Sequence, residues 1–183
     1  MKIVFKDIAI QRRKIIKSIK TTLFKLKETL DGEAPEKLFY SMKFEKIGCD
    51  PLNSKTPWNL IEQVNQAFTY LVSLKAAEIL YKECKSIEAI ELNLGTQGGF
   101  DLIGKDDKNH AIAVAEVFAA VNAHSNDKLR KDVKKVMASN AEKLYVFFAA
   151  DGVAASNPYT GYQPKFNMSR VKIVSIDAQA LWK

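Results

Sequence analysis

The chain has 183 residues, of which 47% are hydrophobic and 27% are charged, which is the composition of an ordinary globular protein. A chain of this length can bury a sizeable core without disulfide or metal support, so we expect a single domain over residues 1–183. No segment reaches the roughly 20 apolar residues that cross a membrane, and charges interrupt the apolar N-terminal stretch. We therefore expect no signal peptide, no membrane partner and a cytoplasmic location.

The positive charge is concentrated near the N-terminus. Residues 1–30 contain nine Lys or Arg and two acids, so this segment accounts for the whole net charge of +7. Apolar residues recur every three or four positions from Ile8 to Leu30, which predicts an amphipathic helix that stops at Asp31-Gly32. Its cationic side either faces solvent or binds a nucleic acid, because neutralised phosphates release counterions. The residues proposed for nucleic-acid binding are Arg12, Arg13 and Lys17.

Residues 35–56 have a mixed pattern without clear periodicity. We expect Phe39, Phe44 and Ile47 to anchor this segment by packing, and we expect a loop from residue 48 to residue 55. Residues 1–55 would then form a basic helical N-terminal part.

A second helix is predicted to start after Thr56, as the N-cap, with Pro57 at its first position. Its predicted buried stripe consists of Ile61, Val64, Phe68, Leu71, Val72 and Ile79. A polar stripe, which either faces solvent or lines a cleft, consists of Asn59, Glu62, Gln66, Thr69 and Ser73.

From Ile87 the apolar period changes from helical to two, which predicts strands. A basic helix is expected to begin after a cap at Ser125-Asn126-Asp127, to end near Ala138, and to turn Leu129, Val133 and Val136 inward. The other predicted elements are strands near residues 90–94, 100–104, 111–121, 144–149 and 171–176, a hairpin turn at 106–109, and a loop at 151–170.

Two carboxylates stand on the predicted hairpin. Asp101 opens the first strand, and Glu116 lies late in the second strand, which is apolar on both faces. A buried carboxylate needs a cation or a hydrogen-bond partner. The alternatives to a metal ion are a salt bridge made by an edge Glu and a strand end that is exposed to water. Two carboxylates with the backbone carbonyl of Val117 would make an oxygen site suited to Mg²⁺, with Mn²⁺ as a possible substitute. Such an ion can activate water for attack on a phosphodiester.

The order of a helix, an Asp-bearing strand, a Glu-bearing strand and a following helix resembles the PD-(D/E)xK nuclease superfamily, which includes type II restriction endonucleases. Asp101 and Glu116 match the motif in spacing and context, and the resemblance covers residues 56–150. It implies an α/β fold with a restriction-endonuclease-like mixed central sheet flanked by helices, here over residues 56–183 with an N-terminal helical extension.

The chain departs from the motif at Phe118, where the superfamily has its Lys. Some members carry this Lys on the helix after the third strand, so the resemblance implies Lys128 or Lys131 as a substitute; both are otherwise ordinary solvated charges. Glu62 resembles the acidic residue that several members place on the preceding helix, and its alternative is a surface Glu.

The predicted loop from residue 151 to residue 170 interleaves aromatic, amide and cationic side chains. Amides can recognise base edges and aromatic rings can stack on bases, whereas the alternative is a loop held in place by its two tyrosines. The residues proposed for DNA recognition are Asn157, Tyr159, Tyr162 and Lys165.

These features together predict a Mg²⁺-dependent endonuclease of the type II restriction kind, which hydrolyses phosphodiester bonds of double-stranded DNA as a homodimer. The predicted catalytic residues are Asp101, Glu116, Glu62, Lys128 and Lys131. The alternative, favoured by Phe118, is a catalytically inactive nuclease fold that binds DNA or a protein.

Overall fold

The computed structural model describes residues 1–30, 34–94, 98–122, 127–162 and 170–182. In chain order the elements are β1 (Lys2–Ile3), α1 (Phe5–Leu30), α2 (Pro35–Phe44), β2 (Gly48–Asp50), β3 (Asn53–Trp58), α3 (Leu60–Glu83), β4 (Ala89–Leu92), β5 (Leu102–Lys105), β6 (Ala111–Ala120), α4 (Lys128–Met137), β7 (Lys143–Ala150), β8 (Val171–Asp177) and a 3-10 turn (Gln179–Trp182).

These elements form two compact units. The first unit comprises Met1–Ile8 and Val72–Lys183, and the second comprises Ala9–Leu71. The single-domain organisation expected from the sequence stays a prediction.

The first unit contains a mixed sheet, which the described residues build from six strands in the order β1-β4-β5-β6-β7-β8. Neighbouring strands are antiparallel from β1 to β6 and parallel from β6 to β8. The expected α/β class with a mixed sheet and flanking helices is thus confirmed. The sequence predicted every strand of this sheet except β1, whose two residues are too few to show an alternating pattern.

Helices lie on both faces of this sheet. On one face Val114 and Phe118 of β6 share a buried cluster with Leu129, Val133 and Val136 of α4, so the predicted inward side of α4 is confirmed. On the other face the end of α3 reaches β7, where the Tyr145 hydroxyl donates to Glu83 Oε2 at 2.9 Å. Each face of the sheet is therefore covered, over at least part of its area, by a helix.

The second unit contains a hairpin where the sequence predicted a loop. The expected loop over residues 48–55 is wrong, because β2 and β3 pair there antiparallel. The chain reverses at Pro51-Leu52, where the Leu52 amide donates to Asp50 Oδ1 at 2.8 Å. A short polar side chain that accepts its own backbone amide two residues on stabilises such a turn.

The start of α3 also differs from the prediction. Thr56 and Pro57 belong to β3, so the predicted cap at Thr56 and helix start at Pro57 are wrong. Asn59 caps the helix instead: its Oδ1 accepts the Glu62 amide at 2.8 Å, and the Glu62 carboxylate accepts the Asn59 amide at 3.1 Å. This reciprocal capping box satisfies two amides that a helix start leaves without partners.

The predicted packing residues of the second unit are partly wrong. Phe39 and Phe44 are 74% and 64% exposed, so they are not anchors. Ile61 and Val64 are also exposed. The helix α3 carries apolar residues on most of its sides, so the elements that pack against it determine which side is buried. The buried side of the first turns of α3 instead consists of Leu60, Gln63, Ala67, Tyr70 and Leu71.

Two predicted boundaries, the helix stop at Asp31-Gly32 and the cap at Ser125-Asn126, lie outside the described residues. In the part of the chain that the structure describes, no helix combines the length and apolar character needed to cross a membrane.

Candidate functional site

Glu116 is buried in the middle of the sheet. It lies on β6 between Val114 and Phe118, on the face that α4 covers, and its exposed fraction is 2%. Phe118 stacks on Phe148 with ring centroids 5.5 Å apart, so this side chain belongs to the apolar core. Glu116 is a carboxylate on an otherwise apolar face of β6, so it needs a cation or a hydrogen-bond donor close by.

Asp101 lies close to Glu116, directly before the neighbouring strand β5. It precedes Leu102, which pairs with Ala115 beside Glu116, and the charge of Asp101 contributes to the raised pKa of Glu116. Asp101 Oδ2 accepts the Val117 amide at 2.8 Å, which holds the carboxylate against β6. The structure thus brings together the two acidic residues that the sequence singled out, while a role for the Val117 carbonyl stays a prediction.

The helix α4 contributes an acid and two lysines to the same place. Lys128, Asp132 and Lys135 are spaced by four and three residues, so they lie along one side of the helix. Lys135 Nζ lies 2.7 Å from Glu116 Oε1, and Lys128 Nζ lies 2.5 Å from Asp132 Oδ1. Asp132 is 3% exposed, so both ion pairs join an exposed ammonium to a buried carboxylate. These residues form what we call the acidic site: Asp101, Glu116, Asp132, Lys128 and Lys135.

Burial disfavours the charged forms of the three carboxylates in the acidic site. Burial raises the pKa of Glu116, and the nearby carboxylates of Asp101 and Asp132 add to the rise against the lowering effect of Lys135. Burial likewise raises the pKa of Asp101, although the Val117 amide opposes it. Burial also raises the pKa of Asp132 against the ion pair with Lys128. Added positive charge between these carboxylates would therefore be favourable.

The acidic site suits a cation with few protein ligands. Among the described residues, Asp132 Oδ2 is buried and has no hydrogen-bond partner, and the buried Glu116 Oε1 has no hydrogen-bond partner beyond its ion pair with Lys135 Nζ at 2.7 Å. The same described ranges contain no group of three or more His, Cys, Asp or Glu side chains arranged to hold a metal. Two carboxylates completed by water suit Mg²⁺, which keeps several waters when it binds proteins.

The predicted lysines are only partly at this site. Lys128 is present but is engaged by Asp132 and lies 5.9 Å from the Phe118 ring centroid. Lys131 is exposed on α4, and Lys135, which the sequence analysis missed, is the lysine that reaches Glu116. Helical spacing from Leu129 and Val136 was the available signal, because it places residues 128, 132 and 135 beside the buried stripe of α4.

Glu62 belongs to the second unit. Its carboxylate is held by the capping box with Asn59 and lies 3.3 Å from Lys46 Nζ. The Asn59 amide and Lys46 hold the pKa of this exposed carboxyl below its ordinary value. These contacts account for Glu62 as a helix-capping residue, and its catalytic role stays a prediction.

The proposed nucleic-acid-binding residues of the N-terminal helix lie on α1 as expected. Arg13 and Lys17 are exposed and Arg12 is half-buried. A shallow concavity along α1 is lined by Arg13, Ile16, Lys17, Lys20 and Thr21, so three cations line one side of one helix. This surface suits a polyanion.

The loop after β7 packs largely against its own unit. The Tyr159 ring meets the Phe148 ring edge-on with centroids 5.0 Å apart, and Tyr162 also packs against the core cluster. The Asn157 amide donates to Glu83 Oε1 at 2.6 Å. These contacts support the alternative in which two tyrosines hold the loop, and base recognition by this loop stays a prediction. Lys165 lies outside the described residues.

In comparisons with known proteins, no family model, no curated protein and no solved structure matches the chain.

Proposed function

We propose that the protein is a Mg²⁺-dependent endonuclease that hydrolyses phosphodiester bonds of double-stranded DNA, with Mn²⁺ as a substitute ion. The observation that carries this proposal is the acidic site, in which the Asp101 carboxylate is held at the amide of Val117, next to the buried Glu116, and Lys135 Nζ lies 2.7 Å from Glu116 Oε1. Buried acids with raised pKa values beside lysines are typical of functional sites.

The arrangement of elements supports a nuclease fold of the PD-(D/E)xK kind. The helix α3 precedes the antiparallel strands β4, β5 and β6, and α4 then leads to β7, which is parallel to β6. This is the order that the resemblance implies, with Asp101 at the second of the three strands and Glu116 on the third.

Three residues of the acidic site have a proposed role in catalysis. Asp101 and Glu116 hold the ion, which when bound supplies positive charge to the phosphate and lowers the pKa of a bound water. The Val117 amide orients Asp101 through its hydrogen bond to Oδ2. Lys135 stabilises negative charge that develops on the phosphate, and it replaces the ammonium that Phe118 cannot supply.

The experiment is cleavage of supercoiled plasmid DNA in Mg²⁺ and in EDTA. The wild type should nick or linearise the plasmid in Mg²⁺ but not in EDTA. Asp101→Asn and Glu116→Gln should abolish cleavage and retain DNA binding, whereas Glu142→Gln, an exposed carboxylate before β7, should cleave as the wild type does. Cleavage by Glu116→Gln at the wild-type rate would refute the proposal.

A second candidate function is DNA or protein binding by an inactive nuclease fold. Phe118 at the motif position favours it, as do the two lysines that already neutralise Glu116 and Asp132. Binding of DNA by the wild type without cleavage in either Mg²⁺ or Mn²⁺ would favour this candidate.

A further inference from the structure

A cleft lies on the sheet surface beside the acidic site. Its lining includes Lys2, Glu91, Asn93, Phe100 and Ile103. All of these residues belong to the first unit, and none of them has a role in the function proposed above.

The register of the sheet joins this cleft to the acidic site. Lys2 pairs with Glu91 and Glu91 pairs with Ile103, so these three residues share one face. Ile103 in turn pairs with Val114, which lies on the face of Glu116. The cleft and the acidic site are therefore parts of one face of the sheet.

A second row of residues leads directly from the cleft to the carboxylates. The Asn93 backbone amide donates to the Asp101 carbonyl at 2.9 Å, and the Asp101 carboxylate accepts the amide of Val117, the residue after Glu116. Because α4 packs over β6, β7 and β8, the surface formed by β1, β4 and β5 lies beside the helix. A strand bound at the acidic site could extend along this surface.

Phe100 stands at the border between the cleft and the acidic site. It lines the cleft, and Lys135 Nζ lies 5.8 Å from the centroid of its ring. The charge of Glu91 in the cleft is paired with Lys105 at 2.8 Å, whereas Lys2 adds an exposed cation. The cleft thus offers an aromatic ring and excess positive charge next to a proposed phosphodiester site.

We propose that this cleft holds the nucleotide next to the cleaved bond, with its base against Phe100 and its phosphate toward Lys2; the proposal rests on the function proposed above. Stacking on a ring accepts every base, because each base has a π-face. The Asn93 side-chain amide donates to the Gly98 carbonyl at 2.9 Å, and a base held by stacking alone is not selected by its edge. The expected ligand is therefore any nucleotide of the bound strand.

The test uses oligonucleotides that carry 2-aminopurine at successive positions, with binding followed by fluorescence in EDTA so that no strand is cut. The wild type should change the fluorescence at a limited set of positions. Phe100→Leu should lose this change and bind about fivefold to a hundredfold more weakly, which is the effect of losing one stacked base. Phe100→Tyr should retain it, and Phe44→Leu, an exposed ring of the second unit, should behave as the wild type.

The outcomes separate this inference from the proposed function. Glu116→Gln should keep the fluorescence change although it cannot cleave. If the wild type cleaves DNA and Phe100→Leu keeps the signal, the inference fails and the function stands. A signal that depends on Phe100, without cleavage by the wild type, would support nucleotide binding and refute the nuclease. Loss of cleavage in Phe100→Leu with an unchanged signal would show that Phe100 only positions Lys135, which overturns the inference.

Discussion

Glu116 shows how one residue can identify a site. A carboxylate in the middle of a strand whose other residues are apolar has no water to hydrate it, so the protein must supply positive charge or donors. Lys135 supplies part of this charge at 2.7 Å, yet burial still raises the pKa of Glu116. Burial thus disfavours the charged form of Glu116 even beside Lys135, and such perturbed acids are typical of functional sites.

The raised pKa predicts how the stability of Glu116→Gln depends on pH. The folded protein binds more protons at Glu116 than the unfolded chain does above the ordinary Glu pKa of about 4.3, so ionisation destabilises the fold as pH rises. Relative to the wild type, Glu116→Gln should therefore gain in unfolding free energy between pH 4 and pH 8. Urea denaturation across this range measures the difference.

Glu83 provides a control, because its pKa is shifted in the opposite direction from that of Glu116. Burial opposes its ionisation, but hydrogen bonds from Lys172, Asn157 and Tyr145 outweigh burial and hold its pKa below the ordinary value. Its stabilising contribution is present above the ordinary pKa and is lost as pH falls through the lowered pKa. Glu83→Gln should thus be destabilising at pH 7 and approach the wild type in acid. If the unfolding free energies of both variants, relative to the wild type, changed with pH in the same direction, the assigned pKa shifts would be wrong.

Lys135 should matter for cleavage more than its neighbours on α4. Lys135→Ala is expected to lower kcat by about a hundredfold to a thousandfold, which is typical when one group that stabilises transition-state charge is removed. Lys134→Ala, an exposed residue next to it, should leave kcat unchanged. Single-turnover cleavage gives the rates. If Lys128→Ala or Lys131→Ala is the damaging variant instead, the charge comes from one of the two lysines that the sequence predicted.

At the scale of elements, the loop after β7 is held by contacts with its own unit. Tyr159 is half-buried against Phe148, so Tyr159→Ala should destabilise the protein by roughly 2–3 kcal/mol, less than the about 3–5 kcal/mol of a fully buried aromatic. Tyr40→Ala, an exposed ring on α2, should cost less than about 1 kcal/mol. Equal stabilities of the two variants, combined with an altered DNA sequence preference for Tyr159→Ala, would assign Tyr159 to base recognition.

The cations of α1 should contribute to DNA affinity without sequence preference. Replacing Arg12, Arg13 and Lys17 with Glu should weaken binding to all sequences alike and reduce the slope of log affinity against log salt by up to about 2.7, since each phosphate contact contributes about 0.9. Charge reversal of three exposed lysines outside α1, Lys55, Lys85 and Lys108, is the control. Binding isotherms over a salt series measure both slopes, and equal slopes for the two triple variants would exclude α1 as the DNA-binding element.

At the scale of the whole molecule, the ion should stabilise the fold that contains the acidic site. At about one hundred times its Kd, a ligand that binds the native state adds about 2.7 kcal/mol. For a chain of this size, this corresponds to a rise in Tm of roughly 5–10 °C. Mg²⁺ or Mn²⁺ should therefore raise the Tm of the wild type but not that of Asp101→Asn. Thermal unfolding with and without DNA measures the shift, and an unchanged wild-type Tm in both conditions would refute the shared-ion site.

The sequence by itself determined the elements whose pattern is local and regular. Alternation over residues 87–121 and helical spacing around Leu129 and Val136 predicted β4, β5, β6 and α4, since period and polarity follow from the geometry of one element. The same alternation placed Asp101 and Glu116 on paired strands, because a short hairpin leaves few choices of register.

The tertiary structure decided what depends on contacts between distant segments. Phe39 and Phe44 are apolar and yet exposed, and which side of α3 is buried depends on the elements that pack against it. The hairpin of β2 and β3 was missed because turn residues and short strands resemble a loop when pairing is unknown. Lys135 was missed for a related reason: a flexible ammonium is assigned to a carboxylate only once the helix that carries it has been placed on the sheet.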